Sequence, residues 1–115
     1  MLRFEELDIW KEAVDLGVEI FLLSEKVPSK IQNSLGNQLR SAVLSISNNI
    51  AEGAGSSSKQ EFKNFLNFSI RSLYETISIL LFALKIGYID GRTFEGLYQK
   101  FERLVKKIRK FRSLL

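Results

Sequence analysis

An all-α fold, an antiparallel up-down-up-down four-helix bundle, follows from three features of this sequence. A single proline interrupts 115 residues, apolar residues recur every three or four positions over long stretches, and the connections between those stretches are short. The first helix is expected from about Glu6 to Lys26, with Ile9, Ala13, Leu16, Ile20, Leu23 and Val27 on one face; Pro28 bars its continuation. The second runs from about Ser34 to Glu52 and buries Leu35, Leu39, Ala42, Val43, Ile46 and Ile50, with Gly53 placed to end it. The third opens on Ser58-Lys59-Gln60-Glu61, a capping-box spacing, and continues to about Ile86 before Gly87. Its core face is Phe62, Leu66, Leu73, Ile77, Leu80, Leu81 and Leu84. Asp90 can cap the fourth, which extends to about Arg112 and buries Phe94, Leu97, Phe101, Leu104, Ile108 and Phe111. Residues 1–115 form one domain, and no internal repeat or low-complexity linker divides them.

Composition narrows the chemistry. The chain has no cysteine and no histidine, which removes disulfides, thiolate or imidazole metal sites, Cys nucleophiles and His bases together. Neighbouring carboxylates such as Glu5 and Glu6 give no sign of convergence in a pocket. No enzymatic activity, cofactor or metal is expected. The opening Met-Leu-Arg-Phe-Glu-Glu-Leu-Asp lacks a signal core, and no apolar run reaches the roughly 18 residues of a membrane span, so a soluble cytoplasmic protein without a membrane partner is expected.

The run Ser45–Phe62, SISNNIAEGAGSSSKQEF, asks whether its Gly-Ala-Gly-Ser-Ser-Ser-Lys turn is a phosphate cradle. A Walker loop needs glycines five apart, Lys and Ser/Thr directly after the second, and a preceding strand. Here a helix precedes and the glycines are two apart, so the turn is architecture: Gly53 and Gly55 supply permissive backbone, and Ser58 and Glu61 restart the chain. Asn49 flanks the Ile46 and Ile50 face and, if buried, must find partners; its amide is expected to reach helix three or the turn backbone. Asn48 and Glu52 form an exposed polar edge.

Two surface patterns bear on function. On helix three, Phe68, Ile79, Phe82 and Ile86 project opposite the core face, which is either a wide core face shielded by loops or a subunit interface. The net charge of +4 is concentrated in the last helix: residues 1–98 carry 10 Lys/Arg against 12 Asp/Glu, and 99–115 carry 7 against 1. There Lys100, Arg103, Lys107 and Lys110 share one edge with Lys106 beside them, a pattern that can neutralise phosphates. Helix one carries a matching acidic edge, Asp8, Glu12, Asp15 and Glu19. In antiparallel register Asp8 lies level with Lys110, Glu12 with Lys107, Asp15 with Arg103 and Glu19 with Lys100, and the hand of the bundle decides whether the edges face each other or point outward.

Several segments carry a resemblance. Leu7-Asp8-Ile9-Trp10-Lys11-Glu12-Ala13, Gln38-Leu39-Arg40-Ser41-Ala42, Ser45-Ile46, Asn49-Ile50-Ala51-Glu52-Gly53, Glu61-Phe62 with Phe65-Leu66, and Leu84-Lys85-Ile86-Gly87-Tyr88-Ile89 resemble the four helix bundle family of 23S rRNA intervening-sequence proteins. The chain is also similar to the accessory variability protein of diversity-generating retroelements. The resemblance implies a bacterial bundle without enzymatic activity that assembles as a ring-shaped homopentamer. Three positions depart from the pattern: Ser47 stands where proline is common, Ser56 where an arginine often follows the turn, and Arg71-Ser72-Leu73 where Gly-Ser-Leu is usual. The function expected is a homo-oligomeric accessory protein, its partners further copies of itself and ribosomal RNA or another nucleic acid held by Lys100, Arg103, Lys106, Lys107 and Lys110. The alternative is an interaction or structural module whose basic edge is consumed by helix one and binds no nucleic acid.

Overall fold

The computed structural model describes residues 1–115 and contains four helices: α1 Asp8–Ser24, α2 Asn37–Ala54, α3 Lys59–Lys85 and α4 Gly91–Ser113. α3, 27 residues at about 1.5 Å per residue, runs nearly the full 43 Å long axis of a 43 × 24 × 22 Å body. Each helix packs against its sequence neighbour and α4 returns beside α1, closing the bundle. One core cluster joins all four, with Ile20, Leu39, Ile46, Leu66, Leu73, Leu80, Leu104 and Ile108 sealed from solvent.

The helix boundaries differ from expectation for local reasons. A 3-10 turn, Arg3–Glu6, precedes α1, which stops at Ser24. Between α1 and α2 the chain makes a 3-10 turn, Ser29–Ile31, and then a π-helical turn, Gln32–Gly36, so that α2 begins at Asn37 rather than Ser34. Polar side chains organise that corner. The Gln32 amide donates to the carbonyls of Ser24, Glu25 and Val27 at 3.1, 3.2 and 2.9 Å, satisfying the C-terminal end of α1. The half-buried Arg40 guanidinium then donates to Gln32 Oε1, Ser24 Oγ and Asn37 Oδ1.

Gly53 does not end α2. It is buried inside the helix, which continues to Ala54, and neither Gly53 nor Gly55 has a positive φ. A Cβ at Gly53 would lie 2.8 Å from Phe62 Cδ1 and 2.8 Å from Phe65 Cβ, so the glycine is there to let α3 approach. The left-handed residue is Gly87 (φ 86°), which ends α3: the Tyr88 amide donates to the Ala83 carbonyl at 2.9 Å and the Gly87 amide to Leu84 at 3.1 Å.

The two expected N-caps form. Ser58 Oγ accepts from the Glu61 amide at 3.1 Å, and Asp90 Oδ1 accepts from the Thr93 amide at 2.7 Å. The capping box is displaced by one residue, because the Glu61 carboxylate accepts from the amide and hydroxyl of Ser57 instead of the Ser58 amide. The α2–α3 pairing is the most intimate in the bundle and uses small residues: Ser69, Ser72, Thr76 and Ala83 turn toward α2, and Ser69 Oγ donates to the Ile46 carbonyl at 2.8 Å. Leu81 was expected inside the core and is 40% exposed, while Ile70, on the same edge of the helix, is buried.

Candidate functional site

The acidic and basic edges meet across the α1/α4 seam, which fixes the hand of the bundle left open by sequence. Lys100 Nζ lies 2.7 Å from Glu19 Oε2, Lys107 Nζ 2.6 Å from Glu12 Oε2, and Arg103 Nε 3.3 Å from Glu12 Oε1. Glu12 thus serves two cations and Arg103 passes over Asp15, its level partner. The side chains flank an open groove of about 310 Å³ floored by Leu16 and Leu104. Asp8 makes no ion pair with Lys110; Lys106 and Lys110 are exposed, with no salt bridge. Of the five cations assigned to nucleic acid by sequence, Lys100, Arg103 and Lys107 are engaged within the chain and Lys106 and Lys110 are free.

The outer face of α3 is exposed as expected, but it is not one strip. Phe82 is 60% exposed and Ile86 46%, with Ile79 half-buried beside them in a shallow groove shared with Leu35, Gln38 and Ser78. Phe68, 45% exposed, stands fourteen residues before Phe82, about 21 Å along the helix. Arg71 and Glu75 occupy the line between them, and the Arg71 guanidinium lies over the Phe68 ring at 5.8 Å. Phe68 therefore belongs to a different neighbourhood from the Ile79–Phe82–Ile86 patch.

A second apolar surface was missed by the sequence reading. Val18, Leu22 and Leu44 are each more than half exposed. Val18 and Leu44 border a groove of about 210 Å³ between α1 and α2, with Val14, Gly17, Phe21 and Ser47. The signal was the i, i+4 run Val14, Val18, Leu22, overlooked because the stronger Ile9–Ile20 face accounts for the helix.

Asn49 corrects the polar expectation. It is half-buried, but its amide donates within α2, to Ser45 O at 2.7 Å and Ser45 Oγ at 2.9 Å, and not to helix three or the turn. The link to α3 is made one step removed, by Ser72 Oγ donating to Ser45 Oγ at 2.8 Å. Asn48 and Glu52 are exposed, as expected. In the turn, Ser56 Oγ is spent on the carbonyls of Gly53 and Ser58, which leaves that hydroxyl directed at backbone.

The Asp90 carboxyl sits below its ordinary 3.8, held there chiefly by the Thr93 amide. No three Asp or Glu converge in a cluster able to hold a metal ion, and no helix is long and apolar enough to cross a membrane.

A family model described as 23S rRNA-intervening sequence protein matches residues 5–110. A solved crystal structure, of a protein with unknown function from the S23 ribosomal protein family of Bacteroides thetaiotaomicron VPI-5482, is similar in fold with a TM-score of 0.79. It is 20% identical, and the alignment covers 90% of this chain and 96% of that one. A comparison with curated proteins finds no match.

Proposed function

The chain belongs to the 23S rRNA-intervening sequence protein family, and from that premise we propose that it acts as a non-enzymatic, homo-oligomeric RNA-binding accessory protein. The observation that carries the assembly is the exposed Ile79–Phe82–Ile86 patch on α3, a protruding apolar surface that water disfavours. Its natural counterpart is the α1/α2 groove around Val18 and Leu44, on another flank of the same bundle. Two different apolar surfaces favour head-to-tail contact, one against the other, which closes into a ring when the rotation between copies permits; a ring of five is what the family resemblance implies. The cationic surplus left after the α1/α4 seam is satisfied supports RNA as the ligand of the assembly.

Light scattering during size-exclusion chromatography tests the first part. A multimer is expected for the unaltered chain and a monomer for Phe82→Glu; a monomeric unaltered chain refutes the assembly. Binding to ribosomal RNA fragments at low salt, weakening as salt is raised, tests the second. No binding at low salt refutes it.

A second reading has its own observation. Three of the four cations on the basic edge are paired with helix-one carboxylates, which favours an interaction module with no nucleic-acid ligand. Reversing Lys106 and Lys110 distinguishes the two: RNA affinity falls under the first reading and there is none to fall under the second.

A further inference from the structure

Cations without carboxylate partners collect at one end of the bundle, on a surface made by two helices. Residues 59–74 of α3 and 106–113 of α4 together carry eight Lys/Arg and one acid, Glu61, and of the eight only Lys107 has a salt bridge. These segments pack on each other through Phe62 and Phe111, whose ring centroids are 5.5 Å apart. Glu61 is turned to the start of its helix, accepting from Ser57. Glu75, one turn beyond Arg71, is the next acid and makes no salt bridge, so cations still outnumber acids there by eight to two, a surface that attracts polyanions.

The arginines there are held against rings and amides. Arg71 lies over Phe68 at 5.8 Å; Arg109 lies over Tyr74 at 5.9 Å and donates to its hydroxyl at 3.3 Å; Arg112 donates to Asn67 Oδ1. Phe68 and Tyr74 are nonetheless 45% and 48% exposed. They stand six residues apart, about 9 Å along α3 and about 120° apart around it, with Arg71 between them. Exposed rings among positioned cations are what an unstacked base needs: a ring face to stack on and a positive charge for the phosphate beside it. A duplex hides its base faces and an acidic peptide has none, so either would use the cations and leave the rings idle.

We propose that the surface running from the outer side of α3 onto α4, through Phe68, Arg71, Tyr74, Arg109 and Arg112, binds single-stranded nucleic acid by base stacking and phosphate pairing. This rests on the RNA-binding reading above and moves the contact surface from the α1/α4 edge to the opposite side of α4.

A fluorescein-labelled oligouridylate is titrated with the full chain by anisotropy as NaCl is raised. The triple variant Arg71→Glu, Arg109→Glu, Arg112→Glu is expected to lose binding. Replacing the same arginines by glutamine is expected to lower the slope of log affinity against log salt by about 2, near 0.7 for each phosphate contact on a single strand. Phe68→Leu and Tyr74→Leu should each weaken binding about tenfold with the slope unchanged. Circular dichroism checks that every variant remains helical. If the unaltered chain binds while these variants bind equally well, this surface is wrong and the RNA reading stands elsewhere. If the unaltered chain binds neither oligouridylate nor ribosomal RNA at low salt, both fall. Equal affinity for duplex RNA, or displacement by polyglutamate at equal charge, overturns the stacking role.

Discussion

Replacing Gly53 by alanine tests how α2 and α3 come together. Helix propensity alone favours the substitution by about 1 kcal/mol, since glycine is the costlier residue inside a helix. The structure opposes it. The new Cβ would sit 2.8 Å from Phe62 Cδ1 and 2.8 Å from Phe65 Cβ, and neither can retreat cheaply. Phe62 is 3% exposed and packed against Phe111, and the Phe65 Cβ is fixed to the α3 backbone. Overpacking of this kind costs about 1–3 kcal/mol, so the net effect is a loss of up to about 2 kcal/mol. For 115 residues the unfolding entropy makes each kcal/mol worth roughly 4 °C, and the midpoint should fall by up to about 8 °C.

Gly96→Ala supplies the opposite sign. Gly96 lies inside α4 with nothing within 4 Å of the added Cβ, so propensity acts unopposed and the midpoint should rise by about 3–4 °C. Both variants are followed by thermal denaturation at 222 nm under one buffer condition. If Gly53→Ala is stabilised to the same degree as Gly96→Ala, the helices are not in the close approach described, and the role given to Gly53 is wrong.

Glu12→Gln removes the shared partner of Arg103 and Lys107; with these side chains partly to largely exposed, each pair is worth at most about 1 kcal/mol, so urea denaturation should show a small loss at low salt that vanishes at high salt. Ser69→Ala deletes a fully buried donor to the Ile46 carbonyl, and equilibrium denaturation should register a loss of about 1 kcal/mol that salt does not change. For Asp90 the folded carboxyl is depressed below its unfolded value near 3.8, so its contribution is present above that pH and is lost as pH falls through the folded value. Asp90→Asn keeps an acceptor for Thr93 and removes the charge; the difference between its midpoint and that of the unaltered chain should shrink as pH is lowered below 3.8, and a gap that persists to the acid limit would show that the charge is not its source.

The features legible in the sequence are those with a local cause. Ser58 and Asp90 announce helix starts because a short oxygen-bearing side chain before an apolar run has one efficient use, and both caps form. Gly53 was misread because helix termination and close approach call for the same residue, and only the position of Phe62 and Phe65 on another helix tells them apart. Arg40 and Gln32 gave no signal of this role, since their partners are backbone carbonyls, a hydroxyl and side-chain amides brought together by a π-helical turn that periodicity cannot foresee. The two charge edges were visible, yet facing edges and outward edges have identical sequence patterns. The α1/α4 pairing distinguishes them only once the hand of the bundle is known.

That pairing also explains why the free charge collects where it does. The acidic edge of α1 pairs with Lys100, Arg103 and Lys107 of α4, and beyond Lys107 the two helices offer no further ion pair. On its other flank the end of α4 meets the first half of α3, which adds cations instead of carboxylates. The α2–α3 turn carries Ser56 rather than a cation, and Arg71 stands on a rigid helix next to an exposed ring. A guanidinium fixed on a helix loses less freedom on meeting a phosphate than one on a mobile turn, and its stacking partner is already in place. A fold shared at 20% identity does not carry such a surface from one protein to another. Under the single-strand proposal, selectivity should follow Arg71 and Phe68 rather than the bundle that presents them.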